Sequence, residues 1–351
     1  MKAGWQEKPF EECIQNVTYT TKIQRKDFRA NGKFPIISQE EAFVNGYWDN
    51  ESDLFKVNFP IVLFGDHTKC LKYVEFDFVL GADGVKILPP CDFLEPKFFF
   101  YQLQTANLYS LGYARHYKLL KELHITYPNR REQQRIVAIL DETFKQIAIA
   151  CANTEKNLQN ARALFESHLQ SVFTQRGEGF VAKTFDEVLE IKNGKDQKPV
   201  EKAGGKYPIY GSAGNVMGWT DSYICDEQTT IIGRKGTINR PIFIDTKFWN
   251  VDTAFGLAAK PNLNATFLYF FCLSYDFSLH NRGTTIPSLV KTDLLNIKIS
   301  VPSLTVQEQL VEKFSALHKE TQHLESIYQR KLTALDELKK SLLHKAFSGE
   351  L

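Results

Sequence analysis

The fold of this chain is decided by the stretch Pro128-Asn129-Arg130-Arg131-Glu132-Gln133-Gln134-Arg135-Ile136-Val137. The stretch returns 174 residues later, where Pro302, Gln307 and Leu310-Val311 take the places of Pro128, Gln133 and Ile136-Val137. A long run without proline or glycine follows each copy. Proline is tolerated at the start of a helix but not in its interior. The pattern therefore predicts two long helices that begin at corresponding points of a repeated chain.

The repeat extends in both directions from these two starts. Downstream, Leu158, Leu164 and Phe173 match Leu332, Leu338 and Phe347 at the same offset. Upstream the match is looser, and the segment 32–36 resembles the segment 205–209. The predicted order is globule, helix, globule, helix, with boundaries at 1–127, 128–177, 178–301 and 302–351.

Both predicted helices carry an apolar seam of about six heptads. The seam residues are Ile136, Leu140, Thr143, Ile147, Cys151, Thr154, Leu158, Ala161, Phe165 and Val172 in the first helix, and Leu310, Phe314, Leu317, Thr321, Leu324, Tyr328, Leu332, Leu335, Leu342 and Ala346 in the second. Such seams favour an antiparallel pair of helices related by a pseudo-twofold axis. The alternative is that each helix packs separately, against a partner or its own globule. Gly177 and Gly349 stand where glycine C-caps are expected.

The segments 1–127 and 178–301 combine short strand-like runs, such as 59–64 and 230–232, with helical patterns around 96–103 and 265–273. We therefore expect mixed α/β (α+β) domains.

Composition indicates an ordinary soluble protein, with 43% hydrophobic and 24% charged residues. No apolar run is long enough to span a bilayer, and no export signal is visible. The six cysteines form no CxxC pair. These features predict a cytoplasmic protein with free thiols.

Positive charge is concentrated at corresponding places of the two copies. One stretch contains Lys22, Arg25, Lys26 and Lys33, and the other contains Lys192, Lys195 and Lys198. Such runs usually mark a solvated surface, but their repetition favours a surface that faces phosphates.

Polar glycine-rich loops supply candidates for reading bases, because Arg, Lys, Asn, Asp, Ser and Thr pair with base edges. Polar glycine-rich loops of this kind occur at 81–84 and 252–254, among other places. The candidate residues in the loops are Asp66, His67, Thr68, Arg115 and His116 in the first copy, and Ser212, Asn215, Arg234, Lys235, Thr237, Thr284 and Thr285 in the second.

The chain lacks the sequence motifs of an enzyme. It has no P-loop, and no GxGxxG follows a strand. Leu88-Pro89-Pro90-Cys91 lacks the flanking residues of an adenine methyltransferase motif, and Pro96 interrupts what would otherwise resemble a nuclease metal site. His67 and Cys70 have no second ligand pair for zinc. We expect a binding subunit with no catalytic or metal site of its own.

The repeat, the helix start at Pro128–Val137 and the ending Leu342-Leu343-His344-Lys345-Ala346-Phe347-Ser348-Gly349-Glu350-Leu351 together resemble the specificity subunit of type I restriction–modification systems. The resemblance covers essentially the whole chain. It implies two target-recognition domains joined by two spacer helices. The chain begins closer to its first recognition domain than is usual in that family.

The resemblance also implies the partners. They are double-stranded DNA, two methyltransferase subunits and, where present, two motor–endonuclease subunits. These subunits would use S-adenosylmethionine, ATP and Mg²⁺, and the chain itself would need no cofactor. The function expected from it is recognition of a split DNA sequence for adenine methylation or restriction. The alternative is a two-headed protein scaffold that does not bind DNA.

Overall fold

The structure is a computed structural model that describes residues 4–81, 84–112, 114–174 and 179–351. The chain divides into two units, one formed by Met1–Asn153 with Lys331–Leu351 and the other by Thr154–Arg330. Both divisions fall inside a long helix, so each unit holds one globular domain and part of each long helix.

The first domain contains β1 (Gln6–Pro9), β2 (Lys22–Ile23), β3 (Phe34–Ile37), β4 (Gly46–Trp48), β5 (Leu54–Phe55), β6 (Ile61–Gly65), β7 (Leu71–Val74), β8 (Phe78–Gly81), β9 (Val85–Leu88), α1 (Pro96–Gln104), α2 (Tyr117–Lys121) and β10 (His124–Tyr127). One sheet has the order β2-β8-β3-β4, with β5 also paired to β8, and a second has the order β7-β6-β9. Strands β1 and β10 form an antiparallel pair beside the start of helix α3 (Arg130–Phe173).

The second domain contains β11 (Val181–Thr184), α4 (Phe185–Val188), β12 (Leu189–Asn193), β13 (Tyr207–Tyr210), β14 (Val216–Thr220), β15 (Thr229–Gly233), β16 (Ile242–Ile244), β17 (Trp249–Asn250), β18 (Ala254–Ala259), α5 (Ala265–Ser274), α6 (Lys291–Leu295) and β19 (Lys298–Val301). Its sheets have the orders β12-β18-β15-β16 and β14-β13-β17. Strands β11 and β19 pair antiparallel ahead of helix α7 (Leu304–Ser348).

The two domains repeat the same plan. The antiparallel pair that precedes α3 in the first domain has its counterpart ahead of α7 in the second. Helices α2 and α6 occupy corresponding positions, as do α1 and α5. The predicted mixed α/β repeat with two long helices is therefore confirmed.

A buried glutamine joins each domain to its long helix. Gln133 is fully buried, and its Nε2 donates to the carbonyls of Phe93 and Pro128, both at 2.9 Å. Its Oε1 accepts from the backbone N–H of Glu95, the N-cap residue of α1, at 2.7 Å. The amide thus satisfies three backbone groups from two segments at the start of α3.

Gln307 makes the same three contacts at the start of α7. Its Nε2 donates to the carbonyls of Asn262 and Pro302, at 3.2 and 2.9 Å. Its Oε1 accepts from the N–H of Asn264, the N-cap residue of α5, at 2.8 Å. The glutamine of the repeated stretch is therefore the residue that orients a domain on its helix.

The long helices contact each other inside both units. In the second unit, Arg162 and Phe165 of α3 meet Glu325 and His318 of α7, with 2.7 Å between Arg162 Nε and Glu325 Oε1. In the first unit, Lys339 of α7 lies over the ring of Phe144 of α3 at 5.2 Å. Residue numbers rise along one helix as they fall along the other, so the pairing is antiparallel, as predicted.

The same helices also pack against the globular domains, α3 at its C-terminal end against the second domain and α7 at its C-terminal end against the first. Phe173 of α3 contacts Phe267 of α5 with 5.0 Å between ring centroids. Phe347 of α7 contacts Phe98 of α1, also at 5.0 Å. Each helix thus has an apolar surface wide enough to serve both contacts.

The glycine cap of the second helix is present. Gly349 has a φ of +80°, in the left-handed region that favours glycine, and the N–H of Glu350 donates to the carbonyl of Lys345 at 2.8 Å. The corresponding prediction for Gly177 lies outside the described residues.

Replacing Gln133 with leucine tests the role of this amide. The change leaves one buried and two partly buried backbone groups without this partner. At a cost of about 1–3 kcal/mol each, we expect the free energy of unfolding to fall by about 3 kcal/mol or more. Urea titration measures it. The matched control is Gln134→Leu, one residue further on and exposed. An equal, small effect of both variants would contradict the assignment.

Candidate nucleic-acid interface

Three predicted loops of the second domain converge. The segment around Lys235 forms a bridge with Ser288, and the N–H of Gly236 donates to the carbonyl of Pro287 at 2.9 Å. The N–H of Arg234 donates to the carbonyl of Thr253 at 2.8 Å. We call the segments 233–237, 250–254 and 283–288, together with 210–215, the loop edge of the second domain.

The loop 210–215 and the basic stretch reach this edge through strand β17 and the residue after it. The N–H of Val251 donates to the carbonyl of Tyr210 at 3.1 Å, and the N–H of Lys195 donates to the carbonyl of Asn250 at 3.0 Å. Trp249 Nε1 donates to the carbonyl of Lys195 at 3.1 Å. Residues separated by up to about ninety positions in the sequence thus share one edge.

The predicted side chains differ in exposure. Lys192, Ser212 and Arg234 are partly buried, with Lys192 Nζ 3.6 Å from Asp226 Oδ2. The Nη1 of Arg234 donates to the carbonyl of Asp252 at 3.4 Å. The exposed members are Lys195, Lys198, Asn215, Lys235, Thr237, Thr284 and Thr285.

Two glycines allow the backbone to close up at this edge. A Cβ on Gly233 would lie 2.0 Å from the carbonyl oxygen of Thr237, and one on Gly283 would lie 1.9 Å from that of Ile286. No side chain fits at such distances. These glycines serve the tight loop geometry, which in turn determines where the polar side chains lie.

In the first domain, the basic stretch and the loop after β6 meet at residues 39 and 40. Arg25 pairs with Glu40 at 3.1 Å. The Oε1 of Gln39 accepts from the N–H of His67 at 3.1 Å, and its carbonyl accepts from the hydroxyl of Thr68 at 2.5 Å. The structure therefore brings Arg25, His67 and Thr68 into one region.

The other cations of this stretch lie nearby in sequence but have varied surroundings. Lys26 and Lys33 are exposed, whereas Lys22 is partly buried with its Nζ 5.2 Å from the ring centroid of Tyr19. The backbone N–H of Lys33 donates to Asp49, which also pairs with Arg29. The loop prediction at 81–84 falls partly on residues 82 and 83, which are outside the described residues.

Asp66 and His116 require a correction. Both are 1% exposed and make their contacts inside the domain. Asp66 Oδ1 accepts from the N–H of Tyr117 at 2.7 Å. His116 Nδ1 lies 3.0 Å from the carbonyl oxygen of Asp66, and its Nε2 accepts from the N–H of Leu111 at 3.0 Å.

This arrangement requires a neutral ring with its proton on Nδ1. Because their polar atoms are occupied and inaccessible, we remove both residues from the set that faces DNA. They hold the loops that carry His67 and Arg115, and Arg115 itself is exposed.

Lys72 organises the same region and was missed by sequence reasoning. It is 4% exposed, and its ammonium donates to the carbonyls of Ser38, Ala42 and Phe43 at 3.0, 2.5 and 3.3 Å. Burial lowers the pKa of Lys72 below its ordinary value. Within Leu71–Val74, nothing distinguishes this lysine from one that faces solvent, since lysine is almost never fully buried.

Among the described residues, no group of three or more His, Cys, Asp or Glu side chains could hold a metal ion. No described helix is both long and apolar enough to cross a membrane. All six cysteines are free thiols, and burial raises the pKa of Cys13 and of Cys225 to about 12. Thiols with such pKa values stay protonated and unreactive near neutral pH.

Comparison with known families identifies the repeated unit. The model of the type I restriction modification DNA specificity domain matches residues 3–159 and again residues 177–333. Because these two matches cover most of the chain, the chain belongs to this family.

Individual relatives agree. A Haemophilus influenzae protein described as a type I restriction enzyme specificity subunit is 29% identical over 142 residues, which are 38% of this chain and 36% of that protein. The EcoR124I/EcoR124II specificity subunit of Escherichia coli is 26% identical over 86 residues, 24% of this chain and 21% of that protein. The matches thus span about a third and a fifth of the length of these curated relatives.

Solved structures share the fold over the whole chain. A chain from a study of complex assembly and conformational transition of the type I R-M system superposes with a TM-score of 0.80 at 16% identity, covering 100% of this chain and 99% of that one. The HsdS subunit of Thermoanaerobacter tengcongensis superposes with a TM-score of 0.56, also at 16% identity, covering 100% and 98%.

Replacing Lys72 with methionine tests its role at the first domain's candidate interface. The variant keeps a long apolar side chain but leaves three carbonyls without the ammonium, so residues 39–43 should open more often. We expect amide hydrogen exchange there to accelerate by at least about tenfold. The exposed Lys56→Met is the control. Unchanged exchange in Lys72→Met would show that the segment is held by other contacts.

Proposed function

We propose that this chain is the DNA sequence-specificity subunit of a type I restriction–modification complex and that it reads a bipartite sequence, one half with each domain. The observation that carries the proposal is the family match in two copies, each on a domain that presents a cluster of basic and hydrogen-bonding residues. A chain with two such domains is suited to a target with two halves.

The exposed residues at these regions fall into two chemical groups. Lysines such as Lys26, Lys195 and Lys235 would neutralise phosphates and give affinity that depends on salt but not on sequence. Thr237, Thr284 and Asn215 can pair with base edges, and a good bidentate contact is worth about 1–3 kcal/mol of discrimination. The first group would therefore orient the chain on DNA, and the second would select the sequence.

Catalysis would come from partner subunits. We propose that two methyltransferase subunits using S-adenosylmethionine modify adenine, and that motor–endonuclease subunits using ATP and Mg²⁺ join where the system restricts DNA. The target adenine must leave the base stack for methylation. The role of this chain would be to place the methyltransferase over that adenine.

The long helices offer corresponding surfaces for a partner present twice. Leu164 of α3 is 67% exposed and Leu338, its counterpart on α7, is 45% exposed. Each has apolar neighbours one helical turn away, Ala161 beside Leu164 and Leu335 and Leu342 beside Leu338. An apolar residue exposed at the same place of both repeats supports docking of two copies of one partner.

A map of methylated adenine in the source cell, with and without this gene, tests the proposal. We expect a split motif that disappears on deletion and returns with the intact gene. A chimera in which residues 178–301 come from another family member should change one half of the motif only. An unchanged map, together with no DNA binding by the purified complex, would favour the protein-scaffold function instead.

Lys235→Ala tests the phosphate contact. Removing one cation that faces a phosphate should reduce the slope of log K against log salt by about 1 and weaken binding to all sequences alike. Binding titrations of the purified complex at several salt concentrations measure it. Lys319→Ala, exposed on helix α7, is the control and should leave the slope unchanged. Equal slopes for Lys235→Ala and the unmodified chain would remove Lys235 from the interface.

A further inference from the structure

The loop between α5 and α6 has a fixed base and an apolar tip. Asn281 Oδ1 accepts from the N–H of Gly283 at 2.9 Å and from that of Ser288 at 2.8 Å, which closes the loop on itself. The N–H of Leu289 donates to the carbonyl of Arg234, and Gly236 donates to Pro287. Ile286 lies between these anchors and is 61% exposed.

The corresponding loop of the first domain, between α1 and α2, repeats the arrangement with other residues. Lys69 Nζ donates to the carbonyl of Leu108 at 3.2 Å, and the N–H of Leu111 donates to His116 Nε2 at 3.0 Å. Between these two anchored positions, Tyr109 is 62% exposed. In each domain, therefore, an exposed large side chain, Ile286 or Tyr109, lies on a loop that is fixed on either side of it.

The surroundings of Ile286 indicate what it contacts. Ile286 is flanked in sequence by Thr284, Thr285 and Ser288, and Lys235 lies across the bridge to Ser288. A protein-docking surface would be a continuous apolar patch of a few hundred Å². Leu279 and Val290 of the same loop are also exposed, but they lie outside the anchored segment 281–289. Ile286 is the exposed apolar side chain within that segment, which is the form of a side chain that enters a base stack.

We propose that Ile286 and Tyr109 are wedges, each inserting between two adjacent base pairs of the half-site read by its own domain. This inference rests on the proposed DNA-specificity function and adds the mode of contact. Apolar wedges partly unstack a base step, and flexible pyrimidine–purine steps are the least costly to open. The wedge would thus select the sequence at a step where the protein makes no hydrogen bond to a base.

Aminopurine fluorescence tests this. The full chain is bound to a duplex carrying its mapped motif, with 2-aminopurine in place of each purine in turn, apart from the target adenine. We expect increased fluorescence at one step in each half-site, caused by unstacking. Ile286→Ala should abolish the increase in the second domain's half-site only and weaken binding roughly tenfold. Tyr109→Ala should do the same in the other half-site.

Two matched variants separate a wedge from a general loss of apolar surface. Ile286→Leu keeps an apolar tip and should retain the fluorescence increase. Leu279→Ala removes a side chain that is 74% exposed in the same loop but ahead of its anchored segment 281–289, and it should change neither fluorescence nor affinity.

The insertion would be disproved if the unmodified complex showed no fluorescence increase while Ile286→Ala still bound more weakly. Ile286 would then make only a surface contact, such as one to a thymine methyl group. Affinity of Ile286→Ala and Tyr109→Ala within about twofold of the unmodified chain would overturn the insertion as well. If the unmodified chain showed no salt-dependent binding to DNA, the proposed function itself would fail, and the wedge with it.

Discussion

The rest of the structure depends on one buried amide per domain. At both helix starts a glutamine accepts one backbone hydrogen bond and donates two, and its acceptor bond comes from the N-cap residue of the neighbouring short helix. A side-chain amide suits this place because it offers donors and an acceptor at fixed geometry. Helix termini carry backbone groups without partners, so the same amide also satisfies groups that would otherwise be buried unpaired.

These glutamine contacts fix each domain at the start of its long helix. Within each unit, the glutamine links the N-cap residue of the short helix to the proline ahead of the long helix. Residues of both helices then pack in one apolar core. Surface loops can vary in sequence while the glutamine contacts at the helix start stay the same. This separation explains how two domains with different loop residues keep the same plan.

The features that could be predicted from the sequence are those that leave a periodic or repeated pattern in it. The helix starts at Pro128 and Pro302, the apolar seams and the mixed character of the domains were all predictable, because periodicity and proline have direct local consequences. Whether a single polar side chain is buried or exposed was not predictable from the sequence. Asp66, His116 and Lys72 look like surface residues in the sequence, and only tertiary contacts between distant segments bury them. The anchoring that makes Ile286 a fixed tip likewise comes from Asn281 and from residues near Arg234.

The two units differ in how they are assembled from the chain. Thr154–Arg330 is one continuous segment, whereas the first unit also requires Lys331–Leu351. Leu343 and Ala346 belong to the apolar core around Phe98, so this core lacks part of its packing until the last helix is made. The N-terminal segment of this chain thus cannot complete its apolar core by itself, unlike a domain that folds as a unit while it is synthesised. The second unit therefore draws its packing from one continuous segment, whereas the core around Phe98 stays incomplete in any fragment that lacks Lys331–Leu351.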